Sequence, residues 1–395
     1  MKILAIVSAL HPQRGNNANL FSKLIPHLND KHTVHYLSYA FSENSKAQPT
    51  QIDEIPVHWA TDEKSGFTRR FLYPAVAKLT DPNGYSDAIQ VMLLTKKLRE
   101  LHRKFHYDMI VSTMEPYPSA CAVLNLPRNV KKVLYLMDPP GCTYDPNVVT
   151  PYRARMLPKV LAGHDRILTT PFIRKALSEQ GYGKYDHKIT EVGFPMIVPH
   201  PYNTTENDVV MDSGKINLLF CGWLYSEIRS PKFFLDIVSR LDERFCVYFM
   251  GKECDKLQQR FGIQTKAKII TLPQQPYQTA LNAMHDADIL INIGNSVPVH
   301  MPSKTLEYIN TGKPIVNFHK MEDCTTLYYT KRYPLCLNLP EYDPDVDKAA
   351  DAFIRFCVKN KGKTTDTAGL AKTFRDCTPE YIADIILQSL GATNE

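Results

Sequence analysis

Two stretches of the chain place residue types at spacings suited to an anionic, hydroxyl-bearing molecule. The first is Pro302-Ser-Lys-Thr-Leu-Glu-Tyr-Ile-Asn-Thr-Gly-Lys-Pro314. A helix starting at Ser303 would present unpaired backbone N–H groups and the positive end of its dipole. Together these make an anion site. Ser303 can cap that helix, with Lys304 and Thr305 in its first turn. Glu307 lies one turn on, where a carboxylate could accept both vicinal hydroxyls of a ribose. Gly312 ends the helix and Lys313-Pro314 opens the next strand. A capped helix whose Glu307 pairs with a surface cation fits the same residues. The second stretch follows an apolar run that ends at Cys221-Gly222 and includes Arg229 and Lys232. Gly222 would let a ligand approach the backbone closely. Two cations at a helix start oppose the helix dipole. A bound diphosphate would resolve that conflict and gain a stabilised leaving group, whereas side chains turned to solvent would carry no function.

Other candidates are single residues after apolar runs. The loop Gly294-Asn295-Ser296 follows ADILINIG. Asp138 ends KKVLYLMD and could be a base, an acceptor contact or a turn residue. Gly15-Asn16, His11, Glu115 and Tyr117 follow strand ends in the first half and could line an acceptor site. His164-Asp165 precedes a strand and reads as structural. The sequence contains no GxSxG, HExxH or GxxxxGK[ST] and no sound GxGxxG, so hydrolase, P-loop and dinucleotide-oxidoreductase readings have no support. Asp286 and Asp288 have DxD spacing but flank the start of a strand, at the edge away from the expected site. No metal or resident cofactor is expected, because Arg229, Lys232 and the helix amides can neutralise a diphosphate.

The stretch from Pro302 to Pro314 resembles the nucleotide-binding motif of retaining GT-B glycosyltransferases, the group 1 or family 4-like enzymes, with Pro302, Ser303, Lys304, Glu307, Tyr308, Gly312, Lys313 and Pro314 at the motif positions. The resemblance implies that Glu307 binds ribose hydroxyls and that the backbone after Ser303 meets phosphates. It also implies that Gly222, Arg229 and Lys232 serve the pyrophosphate. The implied donor is a nucleotide-diphosphate sugar. The implied acceptor is a saccharide or lipid-linked glycan, as in surface polysaccharide synthesis, with retention at the anomeric carbon. Two positions depart from the pattern. Val299 stands where many members carry a second Glu, so Asn295 and Ser296 are expected to serve the sugar. Met137-Asp138 stands where many carry a His, leaving Asp138 as the nearest polar group. A sugar-nucleotide epimerase and a non-catalytic nucleotide-sugar binder are the alternatives.

The elements that must position these residues alternate. Apolar runs at 3–9, 109–112, 133–138, 166–169 and 189–192 read as strands, as do weaker ones at 35–38 and 57–60. Amphipathic stretches at 17–28, 88–105, 153–162 and 173–180 read as helices between them. The alternation restarts at 216 and runs to 318, and helices close the chain at 346–358 and 378–391. Such alternation implies parallel sheets in an α/β fold. The expected organisation is two Rossmann-like, doubly wound domains facing across a cleft. Residues 1–200 form the acceptor side, 201–214 a Pro-rich linker and 215–375 the nucleotide-sugar domain. A helix in 376–395 is expected to cross back to the first domain.

The totals agree with this. The 395 residues exceed one ordinary core. A net charge of +6 is far below that of a nucleic-acid binder, and no nucleic-acid partner is expected. Nine scattered cysteines without a CxxC pair suggest reduced thiols in a cytoplasmic protein. No run reaches about 18 apolar residues, so no membrane span is expected. Basic residues gather at Arg69-Arg70, Lys96-Lys97, Arg99 and Arg103-Lys104. They fit a solvated helix face, or a peripheral contact with anionic lipid at the inner membrane face.

Overall fold

A computed structural model describes residues 1–8, 16–30, 32–39, 54–57, 87–114, 117–138, 151–198, 209–224, 228–342 and 345–391. The chain divides into two compact units, Met1–Pro195 with Asp376–Glu395, and Met196–Arg375.

The first unit holds β1 Lys2–Ser8, β2 Thr33–Tyr39, β3 Glu54–Val57, β4 Met109–Thr113, β5 Lys131–Leu136, β6 Arg166–Thr169 and β7 Ile189–Glu191. Their order in the sheet is β3-β2-β1-β4-β5-β6-β7, with every pair parallel. Residues Ile3 to Val7 are buried without interruption, as a strand covered on both faces requires. Leu94, Leu98 and Leu101 of helix Asp87–Phe105 pack with Ile110 and Leu134 of the sheet in one core. Helix Pro379–Gly391 belongs to this unit, packed against helix Ile25–Asn29 and β5. Where the chain re-enters, the Gly193 amide donates to the Asp376 carbonyl at 2.7 Å. A Cβ on Gly193 would lie 2.3 Å from Cys377 Sγ, so this crossing needs a glycine.

The second unit holds β8 Ile216–Cys221, β9 Phe245–Met250, β10 Lys268–Leu272, β11 Ile289–Ile293, β12 Ile315–His319 and β13 Cys336–Pro340. Their order is β10-β9-β8-β11-β12-β13, again all parallel. Phe234, Phe249, Phe318 and Phe353 form its aromatic centre, with ring centroids 5.2–6.2 Å apart. Both orders are doubly wound, as the alternation predicts.

Several elements differ from the sequence expectation. The helix expected over 17–28 is two, Asn16–Ser22 and Ile25–Asn29, because Pro26 has no N–H to continue the first ladder. The strand expected at 57–60 is observed at Glu54–Val57, and 58–60 lie outside the described residues. Short helices at Tyr117–Ala122, Thr325–Thr330 and Thr367–Thr373 were not expected, each being too short to show a helical period. Of the linker expected at 201–214, residues 201–208 lie outside the described residues. Its last residues are held to the second unit, where the Asp212 amide donates to Tyr248 Oη at 3.1 Å. No disulfide joins any two of the eight described cysteines, and all but Cys336 are buried.

Candidate functional site

In the second unit the strand order reverses direction between β8 and β11. At such a point the loops leaving the two strands diverge and open a crevice at their carboxyl ends. Cys221-Gly222 leaves β8 there and Gly294-Asn295 leaves β11.

Arg229 is the buried cation of this edge, 8% exposed. Its Nε donates to Asn295 Oδ1 at 2.9 Å and its Nη1 to the Trp223 carbonyl at 3.3 Å. Asn295 Nδ2 in turn lies 2.8 Å from His300 Nδ1 and donates to the His300 carbonyl at 3.3 Å. With its oxygen occupied by Arg229, Asn295 can only donate to His300, which makes Nδ1 the acceptor nitrogen of that ring. The loop carrying Arg229 is held on both sides. The Ser296 amide donates to the Ile228 carbonyl at 2.9 Å, and Lys320 Nζ to the Ser230 carbonyl at 3.4 Å. Lys320 is itself paired with Glu341 at 2.6 Å. Burial raises the Glu341 carboxyl above its usual range, and Lys320 opposes that shift.

Gly222 is half-buried, and a Cβ there would sit 3.3 Å from the Phe220 ring and 3.8 Å from Arg229 Nη1. The sharper demand for glycine is at Gly251. Its φ is +135°, and a Cβ would meet the Gly222 carbonyl oxygen at 2.0 Å. Sequence reasoning missed Gly251, because the constraint comes from the neighbouring strand.

The Pro302–Pro314 stretch forms helix Lys304–Asn310. Ser303 does not cap it through its side chain, because its backbone is already helical (φ −57°, ψ −29°). The turn tightens instead, with Thr305 N donating to the Pro302 carbonyl at 3.1 Å. The helix is pinned to β8 by Tyr308, whose hydroxyl accepts from the Cys221 amide at 2.7 Å and donates to its carbonyl at 3.1 Å. Gly312 ends it at φ +73°. Glu307 is 4% exposed and pairs with Lys304 of its own helix. Burial alone would lower Lys304, but the Glu307 carboxylate overrides it and holds the ammonium above its usual range. Lys304 Nζ also lies 5.9 Å from the centre of the Tyr277 ring.

Thr305 faces the interior rather than the crevice. Its hydroxyl donates to Asn292 Oδ1 at 3.3 Å, at the end of a buried amide ladder. Asn292 donates to Asn317 at 2.7 Å and Asn317 to Asn338 at 2.9 Å, each pair in register across β11, β12 and β13. Lys232 also departs from the site. Its side chain is 72% exposed and pairs with Asp236 at 2.8 Å, one turn along helix Lys232–Val238. The structure therefore brings Gly222, Arg229 and Asn295 together, and Lys304 with Glu307. Tyr308 touches Cys221 beside both groups, and its burial and the charges of Glu307 and Arg229 all act on its phenol. Ser296 is exposed on the same loop as Asn295 and contributes its amide to the fold. His300 went unrecognised in the sequence because nothing in its spacing marks it. Asp288 sits at the amino edge, where Oδ2 accepts from the Asn217 amide at 2.8 Å.

In the first unit, Asp138 is half-buried just beyond β5. Asn16 is the first residue of helix Asn16–Ser22, and its side chain is not among those described. His11, Gly15 and Glu115 lie outside the described residues. Tyr117 is buried, its hydroxyl donating to the Arg153 carbonyl at 2.8 Å, so it packs the core.

No protein-family model matches the sequence, and no curated protein does. Solved structures do match along the whole chain. The lipopolysaccharide outer core galactosyltransferase WaaB in its apo form is 13% identical, with 99% of each chain covered and a TM-score of 0.62. HepE of Anabaena, in complex with UDP, is 12% identical over 100% of each chain, with a TM-score of 0.57. The fold is that of the GT-B glycosyltransferases. The UDP-GlcNAc 2-epimerase of Methanocaldococcus jannaschii shares it, at 13% identity over 98% of this chain and 100% of that one, with a TM-score of 0.61. At these identities the likeness fixes the GT-B architecture alone, and the chemistry rests on the residues at the crevice.

Proposed function

We propose that this GT-B protein is a glycosyltransferase that moves a sugar from a nucleotide-diphosphate donor to a saccharide or lipid-linked acceptor. The observation that carries the reading is the buried Arg229–Asn295 pair beside the Lys304–Glu307 helix, at the carboxyl ends of β8 and β11. An arginine kept from bulk water and fixed by two acceptors is a preorganised site for charge that grows during reaction. Such charge arises when the bond from the anomeric carbon to the β-phosphate oxygen breaks. The diphosphate departs, the acceptor oxygen bonds to the anomeric carbon, and the acceptor proton passes to a phosphate oxygen of the leaving group. That route retains configuration and needs no protein base. Arg229, Lys304 and the amides of Ser303 and Lys304 supply the positive charge, so no metal is required, and Glu307 receives the ribose hydroxyls. Asn295 and Ser296 stand nearest the transferred sugar, and Asp138 with Asn16 belongs to the acceptor side. UDP is the first nucleotide to test, because HepE holds it and the epimerase acts on a UDP sugar.

We place the reaction in the cytoplasm, at the inner membrane face when the acceptor is lipid-linked, in surface polysaccharide synthesis. No described helix is long and apolar enough to cross a membrane. The test is calorimetric titration of UDP, GDP, ADP and CMP, followed by release of the nucleoside diphosphate with acceptor present. Binding of none of the four would remove the reading. Inversion of the donor sugar without acceptor would favour the epimerase seen among the fold relatives. Chelator should leave turnover unchanged.

A further inference from the structure

Helix Asp87–Phe105 carries on its outer face a gradient that the transfer reaction does not use. Its inner stripe, Val91, Leu94, Leu98 and Leu101, is buried in the core. Its outer stripe is Met92, Lys96, Arg99 and Arg103, at spacings that fall on one helical face. Met92 is 60% exposed. Between this stripe and Asn125 runs a groove of about 570 Å³, lined by Ala88, Val91 and Met92 and by Lys96, Arg99 and Arg103. A second hollow of about 480 Å³ continues it past Arg99 and Arg103 to Leu126 and Pro127. At the helical rise, Met92 and Arg103 stand roughly 16 Å apart.

The contacts described for the cations of this groove are to backbone carbonyls. Arg99 donates through Nε and Nη2 to the Asn125 carbonyl, both at 3.3 Å, and Arg103 Nε to the Arg99 carbonyl at 3.3 Å. Glu100, on the same helix, is paired with Lys97 at 3.0 Å. Among the described residues no carboxylate pairs with Lys96, Arg99 or Arg103. Such a basic row calls for phosphates, and a free anion would need nothing more. The exposed methionine in line with it calls for hydrocarbon as well. A bilayer of anionic phospholipid presents both, phosphates in its headgroup layer and acyl carbons just beneath. We propose that this groove docks the protein on an anionic phospholipid surface, with Lys96, Arg99 and Arg103 among the phosphates and Met92 inserted below them. The proposal does not depend on the transferase reading, because the groove belongs to the first unit and the nucleotide-site residues to the second.

The test is sedimentation of the full chain with vesicles of phosphatidylcholine, pure or containing about one third phosphatidylglycerol, at about 0.1 M salt. The protein should sediment with the anionic vesicles and stay in solution with the neutral ones. Each basic side chain at such a surface strengthens binding roughly fivefold. The triple variant Lys96→Gln, Arg99→Gln, Arg103→Gln should therefore lose on the order of a hundredfold, and Lys96→Gln alone about fivefold. Met92→Gln should also weaken binding, which pure charge attraction to the surface would not predict of a substitution that leaves the charge unchanged. Nucleotide affinity and melting temperature should be unchanged in the triple variant. Equal sedimentation of the triple variant and the parent would overturn the proposal, as would equal binding to neutral vesicles. So would release by millimolar inorganic phosphate at constant ionic strength, since the groove would then be a small-anion site.

Discussion

Glu307 is where binding and stability meet in one side chain. A buried carboxylate needs a cation, and Lys304 provides it from one turn away. A ribose would ask the same carboxylate to accept two hydroxyls. Each charge-assisted hydrogen bond is worth about 1.5–3 kcal/mol. Glu307→Gln and Arg229→Ala should therefore each weaken UDP binding about ten- to a hundredfold, as read by calorimetry. Arg229→Lys should not restore affinity, because an ammonium cannot reach Asn295, the Trp223 carbonyl and a phosphate through one fork. Lys304→Met makes a separate prediction. It strands Glu307 in the interior and should cost about 2 kcal/mol in urea unfolding, with most of the loss recovered when Glu307→Gln is added. The helix that carries Glu307 was legible in the sequence because Pro302–Pro314 runs without interruption along the chain, whereas Arg229 lay in a separate stretch marked by the apolar run that ends at Cys221-Gly222. The inward turn of Thr305 was not legible. It is decided by asparagines on three strands that are remote in sequence, and nothing local marks which helix face will meet them.

At the scale of elements, the site depends on loops held to strand ends. The loop carrying Arg229 is fastened to the carboxyl ends of β12 and β13 through Lys320 and Glu341. Lys320→Met should weaken UDP binding several-fold with little change in melting temperature, and Lys320→Arg should restore it. This pair also has a pH signature. Because burial raises the Glu341 carboxyl, it takes up a proton at a higher pH than an exposed glutamate. Its contribution to stability is present at low pH and lost as pH rises through the folded-state value. Nucleotide affinity should run the other way, falling as acid protonates Glu341 and deprives Lys320 of its counter-ion. An affinity–pH curve unchanged in Glu341→Gln would refute the fastening. Strands such as β8, β9, β11 and β12 were readable because burial on both faces writes continuous apolar runs. Lys320 and Glu341 were not readable as partners, since only the parallel pairing of β12 with β13 brings residues 21 apart into contact.

At the scale of the whole molecule, each unit has its own parallel sheet and its own apolar core, so the two should answer to different stimuli. The first unit contains a buried titrating group of its own, an imidazole. His164 Nδ1 lies 2.7 Å from the Val160 carbonyl and Nε2 lies 3.2 Å from Ser112 Oγ. Burial depresses its pKa from 6.5 to about 4. A depressed folded-state value means stability that is complete above about 6.5 and lost as pH falls toward about 4. The full span is worth roughly 3 kcal/mol. UDP at a hundred times its dissociation constant adds about 2.7 kcal/mol to whatever must unfold to release it. Hydrogen exchange, corrected for intrinsic rates, should then separate the two effects. Lowering the pH from 7 to 5 should loosen β4, β5 and β6, and His164→Gln should remove most of that response. UDP should protect β8, β11 and helix Lys304–Asn310 at either pH, and Arg229→Ala should abolish the protection. Acid that loosens both sheets equally in the parent and in His164→Gln would mean that the cores do not respond separately and that the imidazole is not the acid-sensitive element.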